Sequence, residues 1–168
     1  MPFEIIRGDI TEIKADAIVN TANSNPVIGS GVDAGIHKKA GPKLLEARKK
    51  IGPIAAGQAA VTRAYELDAK FVIHAVGPVW EGGGHGEEAL LRQCYDNALA
   101  LAAKKRCRSA AFPLLSAGNY GFPKAAAPAN RHQRIQRVPE RSRNADHSGR
   151  VCSTGTLSRS QKSCSNRS

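Results

Sequence analysis

Apolar residues recur with strand and helix periods in alternation along the first 127 residues of this 168-residue chain. Short apolar runs predict five strands, over residues 3–6, 17–20, 58–62, 70–76 and 110–115. Apolar stripes predict three helices, over residues 32–40, 42–51 and 87–105. The alternation predicts an α/β fold in which helices pack on a mostly parallel sheet.

The periodic pattern stops after residue 127. Residues 128–168 hold four bulky apolar residues and no aromatic residue, against eight serines and nine lysines or arginines. Such a segment cannot bury enough apolar surface to offset the entropy that is lost when it orders. We therefore predict a folded domain over residues 1–127 and a basic, Ser/Arg-rich disordered tail over residues 128–168.

The net charge of +11 is unevenly distributed between these two parts. Residues 1–127 hold 16 Lys/Arg and 12 Asp/Glu, a net of +4, whereas the tail holds 9 Lys/Arg and 2 Asp/Glu, a net of +7. Most of the excess positive charge therefore lies in the tail rather than in the domain. Because no aromatic residue interleaves with the tail's arginines to stack bases, nucleic acid is expected to bind weakly through the tail at most.

The apolar pattern indicates neither a membrane protein nor a secreted one. No apolar run approaches 18 residues, and the N-terminus lacks the basic start and apolar stretch of a signal peptide. A cytoplasmic location is therefore expected. The four cysteines, at positions 94, 107, 152 and 164, form no CxxC pair, so we expect reduced thiols, no metal site and no cofactor.

Two glycine-rich loops each follow an apolar strand. They are Gly29-Ser30-Gly31-Val32-Asp33 and Ser116-Ala117-Gly118-Asn119-Tyr120-Gly121. Small residues let main-chain N–H groups approach an anion, and a helix N-terminus adds a favourable partial positive charge. Two such loops at the carboxyl ends of strands suit a diphosphate held between them. Each loop taken alone is more typical of an ordinary strand-to-helix turn.

Five separated blocks between residue 3 and about residue 124 resemble, in order and spacing, the macro domain family. They are Gly8-Asp9-Ile10-Thr11, Ile18-Val19-Asn20-Thr21-Ala22-Asn23, the stretch from Gly29 to His37, Val72-Ile73-His74-Ala75-Val76-Gly77-Pro78, and the stretch from Phe112 to Gly121. The resemblance implies a three-layer α/β fold with a mixed, mostly parallel sheet. It also implies a site for ADP-ribose.

The same resemblance implies roles for individual residues. Asp9, with the Ile10 backbone beside it, would accept the adenine amino group, although a turn aspartate that satisfies its own backbone is the alternative. Asn23 would orient the distal ribose. The cradle of the diphosphate and distal ribose would consist of Gly31, Val32, Ser116, Gly118, Asn119 and Tyr120.

Asp33 is the predicted catalytic residue, with Asn23 assisting. A carboxylate beside two phosphates is repelled, so its presence there is unfavourable for binding alone. As a base that orients a water against the distal ribose C1″ or an attached acyl group, its charge is useful. The alternative is an N-cap or first-turn aspartate of the following helix. Family hydrolases commonly have glycine at the position of Ser30.

Two histidines are weaker candidates. His37 projects from the same side of its helix as Asp33, one turn further on. His74 lies inside an apolar strand, where a hydrogen-bonded core residue is the expected role. Contact with substrate or with the catalytic water is the alternative for both.

Three functions from different classes are therefore compatible with the sequence. The first is a hydrolase that removes ADP-ribose from mono-ADP-ribosylated protein or acetyl from O-acetyl-ADP-ribose. The second is a reader that binds ADP-ribose without turnover. The third is a nucleic-acid-binding protein that uses the basic tail. An inactive truncated fragment is a further alternative.

The resemblance ends near residue 124, where family members continue with a helix, an apolar strand and a closing helix. Here Ala125-Ala126-Ala127 is followed at once by Pro128, and no later segment has a strand pattern. The missing strand would lie between the first strand and the one ending at Leu115. The composition suggests a change of reading frame near residue 125, and the alternative is a naturally truncated homologue with a basic tail.

Overall fold

The computed structural model describes residues 3–123 and 133–136 of the chain. The helices are α1 (Val32–Ala40), α2 (Pro42–Ile51) and α3 (Glu87–Lys104), with a short 3₁₀ helix at Ile10–Glu12. The strands are β1 (Phe3–Ile6), β2 (Ala17–Thr21), β3 (Ala59–Arg63), β4 (Phe71–Ala75), β5 (Ala110–Phe112) and β6 (Gln133–Gln136).

The predicted helices and strands are all present, and most of their ends lie within one residue of the prediction. Helices α1 and α2 match it at both ends. Strand β5 ends at Phe112 instead of continuing to Leu115, because Pro113 has no N–H to donate to a neighbouring strand. Among the described residues, no helix is long and apolar enough to cross a membrane.

The six strands form one mixed sheet in the order β1-β6-β5-β2-β4-β3. Strand β2 pairs in parallel with β4 and with β5, whereas the other three pairs are antiparallel. The sheet is mixed as predicted, but its parallel part is smaller than predicted. Strands β3 and β4 are joined by residues 64–70 alone, which is too short for the crossover that a parallel pair needs.

Helices cover both faces of the sheet and make the three predicted layers. Alternate residues of β2 point to opposite faces. Ile18 packs with Ile36 of α1 and Leu44 of α2, whereas Val19 packs in a separate cluster with Ala98 of α3. The central strands are therefore held on both sides by apolar contacts.

Strand β6 lies between β1 and β5, at the position for which the sequence pattern predicted no strand. It pairs antiparallel with both neighbours, Ile135 lying opposite Glu4 on one side and Ala111 on the other. The expectation of a tail without strands is thus corrected for these four residues. Main-chain ladders of β1 and β5 offer hydrogen bonds to any segment in reach, whether or not it has an apolar period. The rest of the predicted tail lies outside the described residues.

Candidate functional site

A cleft lies at the carboxyl ends of β2, β4 and β5, between the loop before α1 and the loop after β5. It is lined by residues from 21–23, 29–33 and 114–120, together with Ala75 and Gly77. Eight of the ten residues predicted for the site line it, namely Asn23, Gly31, Val32, Asp33, Ser116, Gly118, Asn119 and Tyr120. Asp9 and Ile10 are not part of this lining.

Asp33 lies in the first turn of α1 and is almost fully buried, at 3% exposed. Its Oδ1 accepts a hydrogen bond of 2.6 Å from Asn20 Nδ2, and its Oδ2 accepts one of 2.5 Å from the Gly29 main-chain N–H. The N-cap position belongs to Gly31, so Asp33 is not the cap of its helix. The two bonds fix the plane of the carboxylate where it lines the cleft.

Asn20 is a site residue to which the sequence assigned no role. It is fully buried in β2, and besides Asp33 its Nδ2 contacts His74 Nδ1 at 3.3 Å. His74 Nε2 lies 3.0 Å from Thr62 Oγ1. Burial lowers the pKa of His74 to about 3, and the neighbouring Arg48 and His37 add to this effect. The ring is therefore neutral, with Nδ1 accepting from the amide and Nε2–H donating to the threonine.

His37 lies against Asp33, below the cleft lining. Its Nε2 is 3.5 Å from Asp33 Oδ1, and its Nδ1 is buried without a hydrogen-bond partner among the described residues. Burial lowers the pKa of His37, Asp33 opposes that shift, and Arg48 adds to it. His74 has the expected role of a hydrogen-bonded core residue. Contact of either histidine with a substrate or water stays a prediction.

The beginning of α1 is open to the cleft. Gly31 stands at its N-cap with φ of 60°, a backbone angle that favours glycine, and no side chain caps the helix. Gly31 and Val32 both line the cleft. Uncapped main-chain N–H groups and the helix dipole make such an N-terminus favourable for an anion.

The opposite wall is the loop after β5. Asn119 Nδ2 donates to Ser30 Oγ across the cleft, and the Tyr120 hydroxyl donates to Asn23 Oδ1 at 3.3 Å. Ser116 has φ of 60°, and its buried Oγ has no hydrogen-bond partner among the described residues. A non-glycine residue with positive φ and an unpaired hydroxyl is unfavourable for stability alone, which is typical of a binding loop.

Arg48 is a second residue that the sequence analysis missed. It is buried in the last turn of α2. Its Nη2 donates to the carbonyl oxygens of Asn23 at 3.1 Å and Ser24 at 3.0 Å, and its Nη1 donates to the Gly52 carbonyl oxygen. A lysine- and arginine-rich helix end is usually a solvated surface, so the sequence carried no signal for this burial.

Asp9 is exposed and caps the 3₁₀ helix. Its Oδ1 accepts hydrogen bonds of 2.9 Å from both the main-chain N–H and the hydroxyl of Thr11, which lower the pKa of the carboxyl. This is the turn role given above as the alternative. A contact of Asp9 with adenine stays a prediction, and so does a contact of the Ile10 backbone, since the Ile10 side chain is buried in the core.

The described residues contain no cluster of three His, Cys, Asp or Glu that could hold a metal ion. Cys94 and Cys107 are buried free thiols. Burial raises the pKa of Cys94 to about 12, so that residue has little thiolate at neutral pH. Cys152 and Cys164 lie outside the described residues.

Comparisons with known proteins agree on one family. A family model described as Macro domain matches residues 19–129. A macro domain-containing protein of Chlorobaculum tepidum is 53% identical over 124 residues, covering 74% of this chain and 72% of the relative. A Salmonella typhimurium protein named O-acetyl-ADP-ribose deacetylase is 51% identical over 129 residues, with the same two coverages.

Among solved structures, the chain is similar to a macrodomain of Oceanobacillus iheyensis with ADP. The TM-score is 0.68 at 39% identity, over 71% of this chain and 67% of that one. Solved variants of that protein change an asparagine, a glycine and an aspartate that follow one another at intervals of seven and three residues, the glycine variant with ADPR. Asn23, Ser30 and Asp33 stand at the same intervals in this chain.

Proposed function

The chain belongs to the macro domain family, as its motifs predicted, and on that premise we propose that it is an ADP-ribose-binding hydrolase. Its substrates are mono-ADP-ribosylated protein, O-acetyl-ADP-ribose or both. The diphosphate lies between the start of α1 and the loop after β5. The distal ribose lies beside Asn23, Asp33 and Tyr120.

The observation that carries the proposal is the buried, doubly hydrogen-bonded carboxylate of Asp33 at the cleft. A negative charge near a diphosphate weakens ADP-ribose binding through Coulomb repulsion. The same charge promotes reaction if it accepts a proton from a water that attacks C1″ or an acyl carbonyl. Fixing the carboxylate with Asn20 and Gly29 aims it and reduces the reorganisation needed in the transition state.

Asn23 supports the same assignment through its position beside the proposed place of the distal ribose. Its side chain lines the cleft, and its Oδ1 is in reach of the Tyr120 hydroxyl. The matching intervals of Asn23, Ser30 and Asp33 with the substituted residues of the Oceanobacillus protein support equivalent positions. We therefore assign Asn23 to orientation of the reacting ribose and Asp33 to the base.

Relatives at about half identity support the deacetylase activity by name, whereas others are named only for their domain. A specific observation favours a second candidate, a reader without turnover. Ser30 stands where glycine is common in family hydrolases, and its hydroxyl accepts a hydrogen bond from Asn119 across the cleft. That contact joins the two loops between which the diphosphate is proposed to lie.

The proposal is tested by incubating the full chain with O-acetyl-ADP-ribose and, separately, with a mono-ADP-ribosylated protein. Released acetate or ADP-ribose is expected with at least one of them. Thermal unfolding with ADP-ribose and with AMP checks the cleft, because ligand binding raises the melting temperature and AMP lacks the second phosphate and distal ribose. Binding without turnover identifies a reader, and equal shifts with both ligands contradict the proposed ribose contacts.

A further inference from the structure

Arg48 is a buried cation that has no role in the reaction as proposed so far. Its side chain is 2% exposed, and no carboxylate within residues 6–123 forms an ion pair with it. Burial lowers the pKa of Arg48 and the charge of Asp33 opposes that shift, so the hydrogen bonds of the guanidinium are needed to offset the cost of burying it.

The hydrogen bonds of Arg48 join the end of α2 to the loop after β2. Nη1 binds the carbonyl of Gly52, the residue that ends α2, and this bond fixes the guanidinium on its own helix. Nη2 binds two successive carbonyls, those of Asn23 and Ser24. A planar guanidinium can serve such divergent acceptors at once, which a lysine ammonium on a flexible chain does less well.

These bonds set the backbone from which the Asn23 side chain projects. The side chain itself is held weakly, because its contacts to the Tyr120 hydroxyl and the Val27 carbonyl are both 3.3 Å, at the long end of the hydrogen-bond range. The bonds from Arg48 are shorter and carry a full charge, so they are the stronger constraint on residue 23.

We propose that Arg48 is a positioning residue for the distal-ribose end of the cleft, which it sets by holding the Asn23 and Ser24 carbonyls. The inference rests on the proposed function, because Asn23 is the residue assigned to that ribose. It differs from a purely structural role, in which Arg48 would only fasten α2 and affect all ligands alike.

The charge of Arg48 acts on the same end of the cleft. It lowers the pKa values of His37 and His74, in addition to the effect of burial. Burial is the larger cause for both imidazoles, and the charge of Arg48 acts in the same direction, towards the neutral form of the two rings near Asp33. Arg48 itself does not line the cleft, so its effect on residue 23 is exerted through the main-chain carbonyl.

The test compares ADP-ribose with ADP, which lacks the distal ribose, by calorimetric titration of the full chain. In Arg48→Lys the charge is kept and the fork is lost. We expect the Kd for ADP-ribose to rise by about tenfold, while the Kd for ADP changes by less than about twofold. Arg48→Gln is expected to show the same selectivity with a larger loss.

Asn97→Ala is the matched control, because Asn97 also donates from a helix to a loop carbonyl, that of Gly57, at 2.8 Å. It should alter stability without altering the ratio of the two Kd values. Equal weakening of both ligands by Arg48→Lys, or parent-like binding of both, overturns the inference. A parent chain that binds neither ligand overturns the proposed function and this inference together. If Arg48→Gln shows no unfolding transition, that variant is not folded, and the comparison of Arg48→Lys with the parent chain is then the test of the inference.

Discussion

Two groups of polar residues in and around the candidate site differ in burial. The buried cluster consists of Asn20, Asp33, His37, Thr62 and His74, of which the most exposed is Thr62 at 8%. The exposed group consists of Asp9, Ser30 and Asn119, which lie at the surface. Both groups include partners that are distant in sequence, because Asn20 contacts residues 13 and 54 positions away and Asn119 contacts Ser30, 89 positions away.

Because of this difference in burial, substitutions in the two groups are expected to differ in their effects on stability and turnover. A polar atom in the buried cluster cannot exchange a lost partner for water, so each loss disturbs the next residue in the chain of bonds. A polar atom in the exposed group can turn to solvent. We therefore expect large effects on turnover and stability from the buried cluster, and small, ligand-specific effects from the exposed group.

Asp33→Ala tests the buried cluster most directly. It removes the proposed base and the repulsion of the diphosphate, so turnover should fall by about 10²–10⁴-fold while ADP-ribose binding survives or tightens slightly. Steady-state rates and calorimetric titration measure the two quantities. Asp16→Ala is the matched control, because Asp16 bonds Lys70 and Arg108 and does not line the cleft. Full activity in Asp33→Ala would refute the catalytic assignment.

Local signals predicted the parts of the fold that depend on neighbouring residues. Gly31 precedes α1, and Gly41-Pro42 separates α1 from α2, which is why both ends of α1 and the start of α2 were predicted to the residue. Strand β6 could not be predicted, because its pairing depends on the main chains of β1 and β5 rather than on an apolar period of its own.

The candidate site likewise has a part that local sequence signals predicted and a part that depends on residues distant in sequence. The two glycine-rich loops are sequence motifs, and the structure brings them to one cleft. Asn20 was missed because a single asparagine in an apolar strand has no visible partner until β2, β4 and α1 are assembled. Arg48 was missed because its acceptors are main-chain carbonyls, which any residue type provides.

From the lowered pKa values of the buried histidines, we predict that the free energy of unfolding decreases in mild acid. The pKa of His74 is about 3 in the folded chain, against 6.5 for the free side chain, so below pH 6.5 the unfolded chain binds a proton that the folded chain does not. The free energy of unfolding should therefore decrease by about 2 kcal/mol between pH 7 and pH 5 from this residue alone. His37, whose pKa is also lowered, adds in the same direction.

Urea unfolding at a series of pH values measures this decrease. Carboxylates with lowered pKa values, such as Glu87 at about 2, lose their contribution only below their ordinary pKa, so they do not act in this window. His74→Gln should flatten the dependence between pH 7 and pH 5, and His85→Gln, which changes an exposed histidine, should leave it unchanged. A constant free energy of unfolding in the parent chain would contradict the prediction.

Asp9→Asn separates the two roles of the exposed aspartate, and its effect is expected to be the smallest. The amide oxygen of asparagine can still accept from the Thr11 main chain and hydroxyl, so the cap and the stability are kept to within about 0.5 kcal/mol. The second carboxylate oxygen becomes an NH₂ group, which cannot accept from the adenine amino group. If Asp9 binds adenine, affinity for ADP-ribose should fall by about fivefold, which corresponds to the net contribution of one hydrogen bond. An analogue whose base has a carbonyl in place of the amino group should regain affinity for the variant, since the new NH₂ can donate to it. Unchanged affinity for both ligands would leave Asp9 as the cap of its 3₁₀ helix alone.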